Sequence, residues 1–255
     1  MAEERLPGEV SSYGISYLPG PTAAELSRGC QSCKKGSWLS VRVGNRCNLS
    51  CSYCSRDRTE SGGDLDDDFR INPKKTVSAI ELKRLLLLPH GIEGISYTGG
   101  EPFLYVDKIV DMAAFVTQNL PSVYQWVYTN GLLPTFDTMK TLFVCGIQEI
   151  RFHIGASDFD ERVINNIRIA VEIFPRVTVE TPSTPQLYEY LILNEQIHLL
   201  AKIGVRQLNL PELYYRKEQV KTGNIPADSY TFAGGIRLVS PRDSHSITRA
   251  IVVCL

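Results

Sequence analysis

The 255-residue chain contains few histidines, methionines or tryptophans: four, three and two. It also lacks net charge, since 27 basic residues face 28 acidic ones for a formal −1. That balance argues against a nucleic-acid-binding protein, which leaves a strongly basic footprint. No stretch approaches the roughly eighteen apolar residues of a membrane span, so no membrane partner is expected. The N-terminal Met1–Arg5 is acidic and has no apolar run behind it, which predicts no secretory signal. The seven cysteines are an odd count in a chain of this size and do not suggest a disulfide framework. A reducing, cytoplasmic setting is the expectation.

What the chain does have is clustered cysteine. Cys47, Cys51 and Cys54 stand in the run Arg46-Cys-Asn-Leu-Ser-Cys-Ser-Tyr-Cys54, a Cys-x3-Cys-x2-Cys spacing. Thiolates are the natural ligands of iron–sulfur clusters, and a cubane normally takes four. A loop supplying three leaves one iron free to bind a small molecule, as a catalytic zinc keeps one position open. The rival reading is a structural zinc knuckle. Zinc would want a fourth Cys or His nearby, and the histidines stand far off at 90, 153, 198 and 245. Cys30 and Cys33 form a second Cys-x-x-Cys pair, which could complete a metal site, hold part of a second cluster or act as a redox pair. Cys145 falls at an apolar helix end, where a buried free thiol is the common outcome. Cys254 sits one residue from the end of the sequence.

From Trp38 onward two kinds of segment alternate. Short β-prone runs cover 38–43, 94–97, 125–129, 148–154, 176–180 and 205–210. Helical spacing fills roughly 76–88, 105–119, 136–144, 159–174 and 189–203. Ser78-x-x-Glu81 predicts a capping box, and Asp158 or Asp160 predicts a cap for the fourth helix. Six strands alternating with five helices imply an α/β fold with a mainly parallel sheet of right-handed βαβ units. Six strands are too few to close an eight-stranded barrel, so the expectation is a partial (β/α)6 TIM-like barrel. Residues 1–36 read as an irregular N-terminal extension, 37–222 as the core, and 223–255 as a C-terminal extension. The last is expected to form a hairpin from Tyr230–Val239 and Ile247–Val253. Loop 55–75 reads as polar and solvated. Its acidic run from Gly62 to Asp68 lacks the calcium-loop spacing.

In such folds ligands gather at the C-terminal strand ends. The cysteine loop follows the first strand. The second ends in Thr98-Gly99-Gly100-Glu101-Pro102, the third in Thr129-Asn130-Gly131. Three consecutive strands thus send their unusual residues to one rim.

The triplet with Tyr53 before its last cysteine, the Gly99–Pro102 run and the Thr129–Gly131 strand end resemble the radical S-adenosylmethionine superfamily over roughly residues 38–210. The resemblance implies that Cys47, Cys51 and Cys54 hold a 4Fe–4S cluster whose free iron chelates S-adenosylmethionine. Gly99, Gly100 and Glu101 would receive its ammonium, with Pro102 stiffening the turn and Thr129 and Asn130 beside it. Tyr53 would lie near the adenine. His153 or Ser157 would serve the ribose, and Glu180 would touch cosubstrate or substrate. The implied activity is reductive cleavage of the cosubstrate and hydrogen abstraction from a small-molecule or peptide substrate, with an electron donor such as flavodoxin or ferredoxin. Two alternatives stand beside it: an activase for a glycyl-radical enzyme, and a non-catalytic redox sensor. Glu212 is a further candidate substrate contact, and Arg216, Lys217 and Lys221 read equally as a solvated face. His90, His198 and His245 read as surface or helix-end residues.

Overall fold

A computed structural model describes residues 10–12, 15–17, 26–54, 65–72, 75–216, 229–231 and 238–253. Its elements are β1 (Val10–Ser12), β2 (Ile15–Tyr17), α1 (Arg28–Lys35), β3 (Trp38–Arg42), β4 (Phe69–Asn72), β5 (Lys75–Val77) and α2 (Ala79–Leu86). There follow β6 (Gly94–Thr98), α3 (Val106–Asn119), β7 (Tyr124–Thr129), α4 (Phe136–Val144), β8 (Glu149–Phe152), α5 (Glu161–Ile173) and β9 (Arg176–Glu180). The chain continues with α6 (Pro185–Tyr188), α7 (Gln196–Ile203), β10 (Gln207–Asn209), β11 (Tyr215–Arg216), β12 (Ser229–Thr231), β13 (Leu238–Pro241) and α8 (Arg242–Val253).

The main sheet runs β10-β9-β8-β7-β6-β3-β4-β5. Its first six members are parallel, and β3 and β10 do not pair, so the barrel is partial and open, as the element count predicts. Strict alternation separates its two faces. Val41, Ile95, Tyr97, Val127, Ile150, Phe152, Val177 and Val179 are buried on the outer face. Against them pack the apolar stripes of the helices, such as Ile109, Met112, Ala113 and Val116 of α3 and Val163, Ile167 and Ala170 of α5. Fully burying each large side chain contributes about 1.5–3 kcal/mol. The inner face is different. It carries Ser96, Trp126, Tyr128, Glu149, Arg151, Thr178, Glu180, Gln207 and Asn209, many of which hydrogen-bond to one another, and α1 covers part of it.

The caps fall where the sequence places them. Ser78 accepts from Glu81 N at 3.2 Å, without the return bond of a capping box, the Glu81 carboxylate lying instead 3.7 Å from Lys75 Nζ; of the two aspartates it is Asp160 that caps α5, accepting from Arg162 N at 2.8 Å. Asp158 takes a left-handed conformation before the helix.

Four expectations are corrected. The N-terminal extension is not wholly irregular: β1 pairs with β2, and α1 packs on the inner face of β3, β6 and β7. A Cβ at Gly29 would lie 2.6 Å from Arg151 Nη2 and 3.2 Å from Glu149 Oε2, so a side chain there would displace the Arg151 guanidinium. Part of the polar loop is strand. Phe69 and Val77 sit opposite each other in β4 and β5, both buried, and Lys108 Nζ donates to the carbonyls of Val43, Asp66 and Asp68 beneath them. The last helical stretch is broken into α6, a π turn at Glu189–Leu193 and α7, because Glu195 adopts a left-handed conformation. The predicted C-terminal hairpin instead has both strands, β12 and β13, within or beside its first segment, whereas Ile247–Val253 is helical. The reason is period. Ile247 and Ile251 are four apart and pack on the core together, with Ser244 one turn earlier donating to Ser183 O at 2.7 Å. Cys254, Lys217 and Lys221 lie outside the described residues. No helix among the described residues is long and apolar enough to cross a membrane.

Candidate active site

The cysteine loop is anchored at its stem to the Gly-Gly-Glu strand end. Gly100 N donates to Gly44 O at 3.1 Å, and Glu101 N donates to Arg46 O at 2.8 Å. A Cβ on Gly99 would fall 2.5 Å from Gly44 O, so this contact requires glycine. Tyr105 Oη accepts from Arg46 N at 2.7 Å and closes the same turn. Two motifs fifty residues apart are therefore one structural unit.

Above this stem the three thiols face different neighbours. Cys47 Sγ accepts from Leu49 N at 3.4 Å and lies 3.8 Å from Asn130 Nδ2. Cys51 Sγ lies 3.6 Å from Ala156 O, and Cys54 N donates to Cys51 O at 3.2 Å. Among the described residues, no three His, Cys, Asp or Glu side chains are gathered as ligands of one ion. A zinc ion would need its sulfurs about 2.3 Å from a single point. A cubane instead takes one thiolate at each corner, which keeps the sulfurs apart. Three thiols on one loop fit three corners of such a cluster.

Glu101 is buried, and both its oxygens are engaged. Oε1 accepts from Phe103 N at 3.1 Å and Thr129 Oγ1 at 2.8 Å, while Oε2 accepts from Asn130 N at 2.7 Å. Burial pushes its carboxyl above the usual range, and these three donors oppose that shift. The carboxylate thus joins the ends of β6 and β7. Asn130 continues the chain of contacts, donating from Nδ2 to Asn48 Oδ1 at 2.7 Å. Pro102 opens the short 3₁₀ turn that follows.

At the fourth strand end, His153 is enclosed and its pKa is lowered to about 4 by desolvation. Nδ1 accepts from Ala156 N at 3.1 Å and stands 3.1 Å from Thr181 Oγ1, so the neutral ring carries its proton on Nε2. Tyr53 stacks on it with centroids 5.9 Å apart and donates from Oη to Gly155 O at 2.9 Å. Ser157 Oγ donates to Ile154 O. A cavity of about 370 Å³ opens beside these residues, between Tyr53, Gly155, Thr181 and Ser183 on one side and Tyr215 and Ser244 on the other.

The sequence profile of the Radical SAM superfamily matches residues 41–181, more than half of the chain. The chain belongs to the radical SAM superfamily. A Methanocaldococcus jannaschii protein provisionally named a glycyl-radical enzyme activating enzyme is 27% identical over 218 residues, covering 82% of this chain and 57% of that protein. A 7-carboxy-7-deazaguanine synthase of Methanospirillum hungatei is 32% identical over 99 residues, 39% of this chain and 36% of the synthase. The chain therefore spans less than two thirds of the length of these relatives. Coproporphyrinogen III oxidase (HemN) of Escherichia coli shares the fold, with a TM-score of 0.54 at 12% identity over 85% of this chain and 51% of that one. As a radical SAM protein, this one is an enzyme whose cofactors are a 4Fe–4S cluster and S-adenosylmethionine.

Glu180, at the end of β9, turns to the inner face, where its Oε2 accepts from Arg151 Nη1 and Asn209 Nδ2, both at 2.8 Å. Glu212 binds His245 Nδ1 at 3.0 Å and Ser240 Oγ at 3.1 Å, which ties β13 and α8 to the strand end; His245 is a helix-end residue, as expected, and is paired. His90 and His198 are exposed, as expected. Cys145 caps the end of α4 and packs against the core, partly buried. Cys30 and Cys33 lie on α1 against the inner face. Sequence reasoning missed Arg151, Glu149, Thr181 and Asn48. Arg151 and Glu149 had one available signal: polar residues alternating with Ile150 and Phe152 in a strand that ought to be buried on both faces.

Proposed function

We propose that the protein reductively cleaves S-adenosylmethionine and uses the product to abstract hydrogen from an organic substrate, a small molecule or a peptide. The observation that carries this reading is the hydrogen-bonded union of the cysteine-loop stem with Gly99–Glu101. Bound at Cys47, Cys51 and Cys54, the cluster would supply an electron to the sulfonium and so release methionine and a 5′-deoxyadenosyl radical. An external one-electron donor such as flavodoxin or ferredoxin would reload it.

The chain's own residues would position the cosubstrate. The ammonium would sit at Gly99, Gly100 and Glu101. A carboxylate has about four lone-pair sites and three are taken here, so Glu101 has room for one more donor. Thr129 and Asn130 would hold Glu101 and Cys47 in place, with Pro102 stiffening the turn. His153 Nε2–H is the donor left for the ribose, because Nδ1 is already occupied. Ser157 already donates its proton, so it could only accept. The Tyr53 ring and backbone would border the adenine. Residues 37–222 would form the catalytic core, with α1 of the 1–36 extension lining its inner face and α8 of the 223–255 extension packed beside it.

The activase reading has one specific support, the Methanocaldococcus jannaschii relative over 82% of the chain. There the substrate would be a glycine in an extended segment of a partner protein. Anaerobically reconstituted protein given dithionite and S-adenosylmethionine should release 5′-deoxyadenosine. Absence of that product from protein containing about four irons per chain would overturn the proposal. A glycyl-radical signal on an added partner enzyme would select the activase reading.

A further inference from the structure

Cys30 and Cys33 lie outside the cluster loop, and the function above does not use them. Both are free, half-buried thiols on the face of α1 turned toward the inner sheet. Three residues apart on an ideal helix, their α carbons are separated by about 5 Å. That distance falls within the range a disulfide bridges. Cys30 occupies the first turn of α1, its N–H donating to Ser27 Oγ at 3.1 Å. Its sulfur is surrounded by donors: Gln207 Nε2 at 3.1 Å, Arg151 Nη2 at 3.4 Å and Asn209 Nδ2 at 3.4 Å. Arg151 is itself shared between Glu149 Oε1 and Glu180 Oε2 at 2.8 Å each, so Cys30 lies in a hydrogen-bonding polar network rather than under an unpaired positive charge. A Cys-x-x-Cys pair at a helix start, its first sulfur held by three donors, is a setting for thiol–disulfide exchange. Cys33 is the contrasting partner, its thiol pushed up by burial and by neighbouring Cys30.

We propose that Cys30 and Cys33 are a redox-active dithiol that exchanges with low-molecular-weight disulfides and closes to an intramolecular disulfide inside the barrel. Cys30 thiolate attacks one sulfur of a disulfide RSSR, forming a mixed disulfide and displacing RS⁻. Cys33 then loses its proton and attacks Cys30 Sγ, expelling the second RS⁻. The pair loses two electrons and two protons, and RSSR gains them as two RSH. Closure withdraws the acceptor that Cys30 offers to Gln207 and Asn209. Asn209 also holds Glu180, so the redox state is felt along the inner wall.

Trypsin cleavage after Arg28 and Lys34 yields a peptide, Gly29–Lys34, holding both thiols and none of the cluster cysteines. The cluster-loaded protein is equilibrated anaerobically in glutathione buffers from fully reduced to fully oxidised, then alkylated in denaturant and digested. The expected result is one two-electron transition, from a doubly alkylated peptide to an unalkylated one lighter by two hydrogens. Cys33→Ser should stop with one glutathione on Cys30, while Cys30→Ser should carry none on Cys33. Double alkylation at every ratio overturns the proposal. So does a disulfide from either residue to a cysteine elsewhere, or glutathione on Cys33 of the Cys30→Ser protein.

Discussion

The two groups of cysteines in this chain differ in everything except the thiol. Cys47, Cys51 and Cys54 ride an irregular loop whose stem is held by backbone hydrogen bonds, and their sulfurs face separate neighbours. Cys30 and Cys33 ride a helix and share one polar chamber with Arg151. The loop supplies three thiols, one for each of three corners of a multinuclear cluster. The helix puts its thiols side by side, within the separation a disulfide bridges, which suits sulfur–sulfur chemistry. The neighbours of a cysteine, rather than its presence, decide its chemistry.

The comparison is most directly tested at the thiols. Cys51→Ala should abolish both iron binding and 5′-deoxyadenosine release, whereas Cys30→Ser should leave the iron content per chain unchanged. Iron counting on the two variants checks this, and a loss of iron in both would erase the distinction. The next effect belongs to the chamber. Arg151 pairs with Glu149 and Glu180 at 2.8 Å each and stacks over Trp126. Arg151→Met should cost about 3–5 kcal/mol in urea unfolding, because it leaves the fully buried Glu149 charge without its partner.

The rim carries a pH signature instead. The folded-state pKa of His153, about 4, lies below the ordinary value of about 6.5. The unfolded chain therefore binds the proton first as pH falls. The stability contributed by the neutral ring is complete above pH of about 6.5 and is lost progressively toward pH 4, by up to about 3 kcal/mol. Unfolding free energies across that range should lose this component in His153→Gln. The smallest expected effect on stability is at Glu101. Glu101→Gln should cost about 1–3 kcal/mol, since a single amide oxygen cannot serve donors on both sides of the group. It should also reduce cosubstrate cleavage. An unchanged rate with reduced stability would make Glu101 a purely structural clamp.

Much of the fold was legible before the structure. The alternation of Ile95 with Ser96 and of Ile150 with Arg151 marks strands, and Ser78 and Asp160 mark helix starts. These signals are local, so spacing along the chain reports them. The short β4–β5 hairpin has only a weak signal in the sequence, because Phe69, Ile71 and Val77 are few apolar residues in a polar stretch. Ile247–Val253 is β-prone in isolation and predicts a strand; packing of Ile251 on the core overrides that propensity in α8. At the site, the spacing of the cysteines and the Gly-Gly-Glu-Pro run named the components. It did not show that Glu101 spends three of its acceptor sites within the protein, or that Glu180 faces Arg151.

Residue spacing alone determined the parallel architecture, the cluster loop and the rim to which the strand ends converge, because each depends on residues adjacent in the chain or at a fixed period. Only the tertiary structure decided the state of the buried charges and the setting of Cys30. Those depend on contacts such as Ser27 N to Gln207 Oε1, between residues 180 positions apart, whose proximity no periodicity encodes.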